Sequence, residues 1–544
     1  MKKVAHYLQE HLLGEVMTDT DVRKYFSTDT SIFQITPSVI VYPRNEQDIR
    51  KVARFTWQLA ERGRPVPVTA RGAGTDQGGG ALGSGIMLVF PAHMNKIIEM
   101  DGKSGLVTVE PGLNYGKMQQ TLHTHNRFLP PFPSSIEFCT IGGAVANNAA
   151  GEKSFKYGAT RNFVKGLRVI LANGEAIETR RLSKREMNKK LGQSNFEGEI
   201  YRQLDALIEE NKDMIAQMQP KVSKNSAGYP LNLVKEKNSF DLTPLFVGSQ
   251  GTLGVITEVV LSTEPYNPQS ILVAAMFDDL QLASQVLPEI RNLPEKPSTI
   301  EFVDESLLQF VYEHNPNNLK GIVDKPFPKL VMLIEFDNSS DRVQKRMAKK
   351  VAKILSKYQI DYKVETDPDA KEELWKIRHS AATVTSYSQT RLKSVPIVED
   401  GVVPADKFSE YMVGAKALFE KYGFQSAMWG HAGDANVHMQ PLLDLSQVGD
   451  RQRAFKLIDD YYKLVINLGG STSGEHGDGR LRGPYLKELY GDKVYEMFRG
   501  VKKIFDPYGT MNPGVKIDAT IENAKSIVRD DYSLEHLYDH MPRT

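Results

Sequence analysis

Along this chain, short apolar runs of strand length alternate with stretches in which apolar residues recur every three or four positions. Residues 1–35 read as a polar, helical lead-in. The texture changes at Pro37. An apolar run at 38–42 precedes a helical segment starting near Asn45, with Ile49, Val52, Ala53 and Trp57 on one face, and then a strand at 66–69. That is β-α-β texture. A buried-type strand follows at 86–90, and strand-like segments continue through 105–112 and 162–179. Residues 182–240 break the pattern. They are charged, rich in Asn and Lys, and helical, and they read as an insertion or connecting lobe.

A glycine turn at 248–254 then feeds a β-branched strand, and residues 263–269, with two prolines, form the best domain boundary. Beyond it, strands at 270–277, 329–336 and 424–430 alternate with helical stretches at 340–358, 405–422 and 450–468. The expected organisation is a lead-in (1–35), a first domain (36–265), a second α+β domain (266–517) and an acidic-leaning tail (518–544). No internal repeat is visible.

Composition narrows the function classes. The chain has 544 residues, 40% hydrophobic and 25% charged, the balance of a globular protein with a sizeable core. Its 68 Lys and Arg cancel 67 Asp and Glu to +1, so no overall basic field draws nucleic acid or anionic lipid. No run approaches 18 apolar residues, and the start lacks the apolar core of a signal peptide; the expectation is a cytoplasmic protein, at most peripheral to a membrane. The single cysteine, Cys139, excludes an internal disulfide framework and any Fe–S cluster held by four cysteines of this chain.

Glycine is concentrated in three places within the first domain. The segment RGAGTDQGGG (71–80) sits between two strands and is half glycine, so it can turn sharply and expose backbone N–H groups, a nest suited to a pyrophosphate. A long glycine hairpin loop explains it equally well, and the dinucleotide fingerprint G-x-G-x-x-G is absent. A second stretch, CTIGGAVANNAAGEKSFKYGAT (139–160), follows the proline-rich 130–135, and a third is GSQGTLGVITE (248–258). Three such segments in one domain converge more plausibly on one large ligand than on three unrelated loops.

Together these three segments resemble the FAD-binding domain of the vanillyl-alcohol oxidase/p-cresol methylhydroxylase flavoprotein superfamily. The resemblance runs from Pro37 to about Ile517. The second half resembles the D-2-hydroxyacid dehydrogenases, which act on D-lactate, glycolate or D-2-hydroxyglutarate. The segments IVEDGVVPADKF and EHGDGR…FDPYGTMNPGVKI resemble large flavin members that continue into a C-terminal Fe–S domain. The implied fold is α+β, a p-cresol methylhydroxylase-type FAD-binding domain of two subdomains followed by an FAD-linked oxidase C-terminal cap.

The resemblance implies roles residue by residue. Arg71, Gly72, Ala73, Gly74 and Thr75 would hold the FAD pyrophosphate. Ser135, Thr140, Gly143, Asn147, Gly151 and Gly158 would line the dinucleotide, Ile256 would sit by the adenine, and Asn512 would approach the flavin. No histidine occupies the pyrophosphate loop where some relatives attach FAD covalently, so FAD is expected to be dissociable. Gln250 stands where relatives usually carry Glu, a departure expected to alter a local hydrogen bond but not the fold.

GHAGDANVH (430–438) and GEHGDG (474–479) are the chemically dense segments of the second domain. His431, His438 and Glu475 are a ligand set suited to a divalent metal, zinc foremost, with a position left open for substrate. An offset of seven places the two histidines on opposite faces of a flat strand, so one metal needs a turn at Gly433–Asp434. The family's metal ligands fall on these three positions, and its catalytic base falls on His476. An imidazole with an ordinary pKa of about 6.5 suits removal of a hydroxyl proton. Arg378 matches the substrate arginine, whose planar fork fits a carboxylate, and Lys393 matches a second substrate cation. Ala382 and Gln440 depart from 2-hydroxyglutarate dehydrogenases and leave the substrate side chain open.

The expected activity is oxidation of a D-2-hydroxy acid to the 2-oxo acid, with hydride passing to FAD. With one cysteine, the electrons are expected to leave through a separate acceptor: an Fe–S protein, an electron-transfer flavoprotein or a quinone. A homodimer remains open. A metal-independent alcohol or phenol oxidase of the same superfamily lacks the metal and arginine set, a silent flavin-binding subunit has no need of His476, and a zinc hydrolase leaves the glycine segments unexplained.

Overall fold

The chain opens on a four-stranded sheet. In the computed structural model, which describes residues 1–385, 391–425, 427–537 and 540, β1 (Glu15–Met17) lies antiparallel to β2 (Val39–Tyr42). Helix α1 (Glu46–Glu61) then crosses to β3 (Val68–Arg71), and β4 (Ile86–Val89) lies between β2 and β3, parallel to both. Asn45 starts α1 by accepting the Asp48 N–H at 3.2 Å, and Ile49, Val52 and Ala53 bury the face predicted from their spacing. Burying Ile49 and Val52 contributes about 1.5–3 kcal/mol each. Strand β3 starts at Val68, two residues later than expected, because Pro65 and Pro67 have no N–H to donate to a ladder. Since β3 and β4 are parallel, the glycine-rich loop between them is a crossover, which rules out the hairpin explanation.

A second sheet is antiparallel. Its strands are β5 (Ile97–Asp101), β6 (Leu106–Val109), β7 (Val164–Ile170), β8 (Ala176–Thr179) and β9 (Val255–Ser262), in the order β5-β6-β9-β7-β8. The short helix α2 (Ile141–Asn147) precedes β7, with Thr140 Oγ1 accepting from the Gly143 N–H. Residues 182–240 are not a separate lobe. Ile200, Tyr201 and Leu204 of α3 (Phe196–Glu210) share one core with Val169 of β7 and Val259 of β9.

The second unit is a seven-stranded sheet backed by helices. It contains β10 (Ile271–Phe277), β11 (Thr299–Asp304), β12 (Leu330–Phe336), α4 (Asp341–Lys357), β13 (Asp361–Glu365), α5 (Pro368–His379), β14 (Gly401–Val402), α6 (Phe408–Tyr422), β15 (Met428–His431), β16 (Asn436–Met439) and α7 (Val448–Asn467). The strand order is β13-β10-β12-β11-β15-β16-β14. The three helices expected at 340–358, 405–422 and 450–468 are α4, α6 and α7. The strand expected at 424–430 starts at Met428, and Ser426 lies outside the described residues.

Two expectations about boundaries change. The end of the 266–517 segment returns to the first unit: Val494, Phe498 and Val501 of α8 (Asp492–Phe505) fill the same core as α3, and Met511 bridges to Val68 beside β3. The tail is no free appendage either. Arg529 N–H donates to Ile32 O at 3.0 Å, Tyr532 Oη donates to Thr30 O at 2.7 Å, and His536 Nε2 lies 3.0 Å from Gly74 O. Lead-in and tail thus pack together on the glycine-rich loop; residues 538–539 and 541–544 of the tail lie outside the described residues.

Candidate functional site

Strands β3 and β4 end at the mouth of a cleft. Its walls include Arg71, Gly72, Ala73, Gly74, Thr75, Thr140, Gly143, Asn147 and Ile256, so nine of the predicted cofactor residues line one space. Among the described residues, the backbone N–H groups of Gly72, Ala73, Gly74 and Thr75 donate to no protein acceptor. Four successive amides left unpaired in a largely buried loop are costly unless a ligand accepts from them, and they form a nest for an anion. Gly72 permits the close approach of the Thr140 segment, since a Cβ there would lie 2.3 Å from Thr140 Oγ1. These features fit a dinucleotide pyrophosphate.

Other predicted cofactor residues act differently. The Arg71 guanidinium turns away from the cleft, stacks on the Phe26 ring and donates to Thr28 O at 2.8 Å, so it anchors the lead-in. Ser135, Gly151, Gly158 and Asn512 do not line the cleft. Ser135 closes a turn through its carbonyl, and Gly151 passes so close to Phe132 O that a Cβ would meet it at 1.9 Å. Gly158 takes the left-handed φ of +84°. Asn512 Nδ2 donates to Gly80 O and Gln250 O, both at 2.7 Å, and so fixes the cleft wall from behind.

The second site is built on the β15–β16 hairpin. Residues Ala432–Asp434 make the required turn, Ala435 takes a left-handed φ of +53°, and the rings of His431 and His438 come to 5.2 Å. Glu475 Oε1 lies 3.0 Å from His431 Nε2, 3.3 Å from His438 Nε2 and 3.8 Å from His476 Nε2. The opposite ring nitrogens are held by carboxylates: His431 Nδ1 by Glu301 at 2.5 Å, His438 Nδ1 by Glu399 at 3.3 Å, and His476 Nδ1 by Glu399 at 2.8 Å. In a neutral ring, a carboxylate on Nδ1 keeps the proton there and leaves the Nε2 lone pair to face the shared point, the arrangement of a metal centre with its outer hydrogen bonds in place. Asp400, His438, Glu475 and His476 also present donor atoms within 4.8 Å of one another. Asp400 already accepts the Glu475 and His476 N–H groups, at 3.1 and 2.9 Å. The imidazole and carboxylate set fits a divalent cation of the zinc type.

Sequence reasoning missed the groups that orient these ligands. Glu301 sits in the fully buried strand β11 between Ile300 and Phe302, and a charge flanked by apolar residues there was a readable signal. Glu399 and Asp400 follow an apolar run ahead of β14, and Glu399 pairs with the buried Arg482. Lys224, from the 182–240 segment, donates to Glu475 Oε2 at 2.5 Å; nothing in that segment's pattern announced it. Arg378 on α5 donates from Nε to Glu301 at 2.7 Å, and among the described residues its two terminal nitrogens have no acceptor. Lys393 lines a cleft with Asp444, Asp530 and Tyr532. Ala382 is exposed on a short helix, and Gln440, two positions beyond His438, accepts from Ser394 at 2.8 Å.

Electrostatics overturn the ordinary pKa expected of His476. Burial disfavours its charge, but Glu399 and Asp400 outweigh that and lift it to about 9. Burial and then Glu301 act likewise on His431, which also rises to about 9. Glu475 is buried too, yet Lys224 and His431 hold it well below the carboxylate range. The two raised histidines stabilise the metal-free fold fully below about pH 6.5, and that contribution is lost as pH rises through 9. Metal-free protein in EDTA is therefore expected to melt at lower temperature at pH 9 than at pH 6.5. Added Zn²⁺, which needs deprotonated imidazoles, should stabilise more as pH rises. Thermal melts at both pH values, with and without metal, check the two opposite slopes.

The comparisons agree with this architecture. A model of the FAD binding domain matches residues 37–180, and one of the C-terminal domain of FAD linked oxidases matches 267–515. The chain is 30% identical over 526 residues to a D-2-hydroxyglutarate dehydrogenase of Escherichia coli (strain K12), covering 93% of this chain and 50% of that protein. It is 29% identical to glycolate oxidase subunit GlcD of Bacillus subtilis (strain 168), covering 90% and 92% of the two chains. The chain thus spans about half the length of the D-2-hydroxyglutarate dehydrogenases it matches. Among solved structures, p-cresol methylhydroxylase superposes with a TM-score of 0.68 at 14% identity, covering 95% of this chain and 97% of that one.

Proposed function

The chain belongs to the FAD-linked oxidases, and from that premise we propose that it oxidises a D-2-hydroxy acid of the lactate, glycolate or 2-hydroxyglutarate class to the 2-oxo acid. One observation carries this reading: three histidine Nε2 atoms converge on Glu475 Oε1 behind a cleft whose loop presents four unpaired amides.

FAD, when bound, supplies the two-electron acceptor. Gly72 to Thr75 hold its pyrophosphate by their N–H groups, and no charged side chain is needed there. His431, His438 and Glu475 would hold the divalent cation, which supplies Lewis acidity toward the substrate hydroxyl. His476 Nε2 takes the hydroxyl proton. Its Nδ1 is tied to Glu399, so the carboxylate fixes the ring and stabilises the imidazolium that results. Among the described residues the terminal nitrogens of Arg378 have no acceptor, and they offer a fork to a carboxylate beside that point. Lys224 neutralises Glu475 Oε2 and leaves Oε1 for the shared centre.

The electrons pass to a separate Fe–S protein, electron-transfer flavoprotein or quinone. No helix among the described residues is long and apolar enough to cross a membrane.

The test is an anaerobic visible spectrum of the purified protein, titrated with D- and L-lactate, glycolate and D-2-hydroxyglutarate, before and after chelation. The flavin band should bleach with one D-acid and stop bleaching once metal is removed. A flavin that no acid bleaches would overturn the substrate and His476 roles. Bleaching indifferent to chelator would favour the metal-independent oxidase.

A further inference from the structure

Gln250 occupies a costly position. It is buried, it lines the cofactor cleft, and its φ of +53° is left-handed, a conformation that residues other than glycine, Asn and Asp rarely adopt. Its backbone is held on both sides, N–H to Ala146 O at 3.0 Å and carbonyl from Asn512 Nδ2 at 2.7 Å. The side chain spans three loops. Nε2 donates to Asn147 Oδ1 at 3.0 Å and to Asp76 Oδ1 at 3.4 Å, and both acceptors belong to the cleft wall. Oε1 accepts from the Gly479 N–H at 2.8 Å, three residues beyond His476. The amide also fills space that two glycines leave open: a Cβ on Gly477 would lie 2.7 Å from its Nε2, and one on Gly80 2.9 Å.

We infer that Gln250 is a positioning residue that couples the flavin cleft to the His476 loop, and that this coupling needs an amide. The inference rests on the reading that the cleft holds FAD and that His476 takes the proton. The amide requirement follows from the partners. Asp76 Oδ2 already accepts the Gly78 and Gly80 N–H groups, and its Oδ1 accepts Asn147 Nδ2 at 2.8 Å. Only a donor fits beside that carboxylate, while only an acceptor serves Gly479. A glutamate would keep the acceptor and lose the donor, setting a second carboxylate against Asp76. Asp29, Arg480, Arg482 and Lys516 also act electrostatically on this pocket. The expectation that Gln250 changes only a local hydrogen bond thus understates its place: the bond joins the two halves of the site.

Two variants of the flavin-loaded protein test this. Gln250→Met keeps the volume and removes both links; acid-dependent bleaching is expected to slow about 10- to 100-fold, as when a group that orients a ligand is lost. FAD affinity should stay within about threefold, because the pyrophosphate nest is untouched. Gln250→Glu keeps the Gly479 bond and adds negative charge at the cleft; the flavin midpoint potential should fall, read by reductive titration against a reference dye with no hydroxy acid present. Wild-type bleaching in the Met variant, or an unchanged potential in the Glu variant, would overturn the inference. So would loss of FAD from the Met variant, which would make Gln250 a cofactor-holding residue. If no hydroxy acid bleaches the wild type, the proposed function fails while the potential of Gln250→Glu still decides the charge argument.

Discussion

His476→Ala is expected to slow anaerobic bleaching of the flavin by its hydroxy acid about 10²- to 10⁴-fold, the usual contribution of a positioned base. Flavin and metal content should hold, because the amides of Gly72 to Thr75 and the three proposed ligands remain. The pH profile is the sharper readout. Glu399 and Asp400 raise the His476 imidazole against burial in the metal-free site, and a bound cation opposes that rise, so the wild-type rate should climb with pH as the imidazole gives up its proton, and the alanine variant should lose that limb. Stopped-flow reduction across pH 6–10 measures both. An unchanged rate with an unchanged profile would remove His476 from the chemistry and revive the silent flavin-binding subunit.

The largest structural effect is expected at Glu399. This carboxylate holds Nδ1 of both His438 and His476 and also pairs with Arg482, whose side chain is wholly buried. Glu399→Ala strands that guanidinium, and a buried charge left without its partner costs about 3–5 kcal/mol. Metal affinity should fall about 10- to 100-fold as well, because His438 loses its orienting bond. Although burial opposes ionisation, His476 and Arg482 hold Glu399 well below its ordinary value of 4.5. Its stabilising contribution is therefore present above about pH 4.5 and is lost as acid protonates it. The gap in denaturant midpoint between wild type and variant should be full at pH 7 and shrink below pH 4. A constant gap across that range would mean the cost comes from packing and not from charge.

Much of the fold was legible because its signals are local. The spacing of Ile49, Val52 and Ala53 marks one buried helix face, and the run at 270–277 has the composition of a doubly buried strand. The glycine segments announced a large ligand because only small residues let three backbones approach one space. The pair His431 and His438, with Glu475 and His476, was visible as chemistry in glycine-rich sequence, and the turn at Gly433–Asp434 was named as the condition for them to meet. Arg71 lines the cleft as the resemblance implied, but nothing local says that its guanidinium points back at Phe26.

What the sequence by itself determined is therefore the kinds of element, their approximate order and a set of candidate side chains, all of which depend on neighbours within a few residues. The tertiary structure alone decided who orients them. Glu301 reaches His431 across 130 positions, Lys224 reaches Glu475 across 251, and Gln250 reaches Gly479 across 229. Such pairs are set by how sheets and loops stack in a shared core, and a buried charge can be stable there only beside a partner that the chain brings from far away.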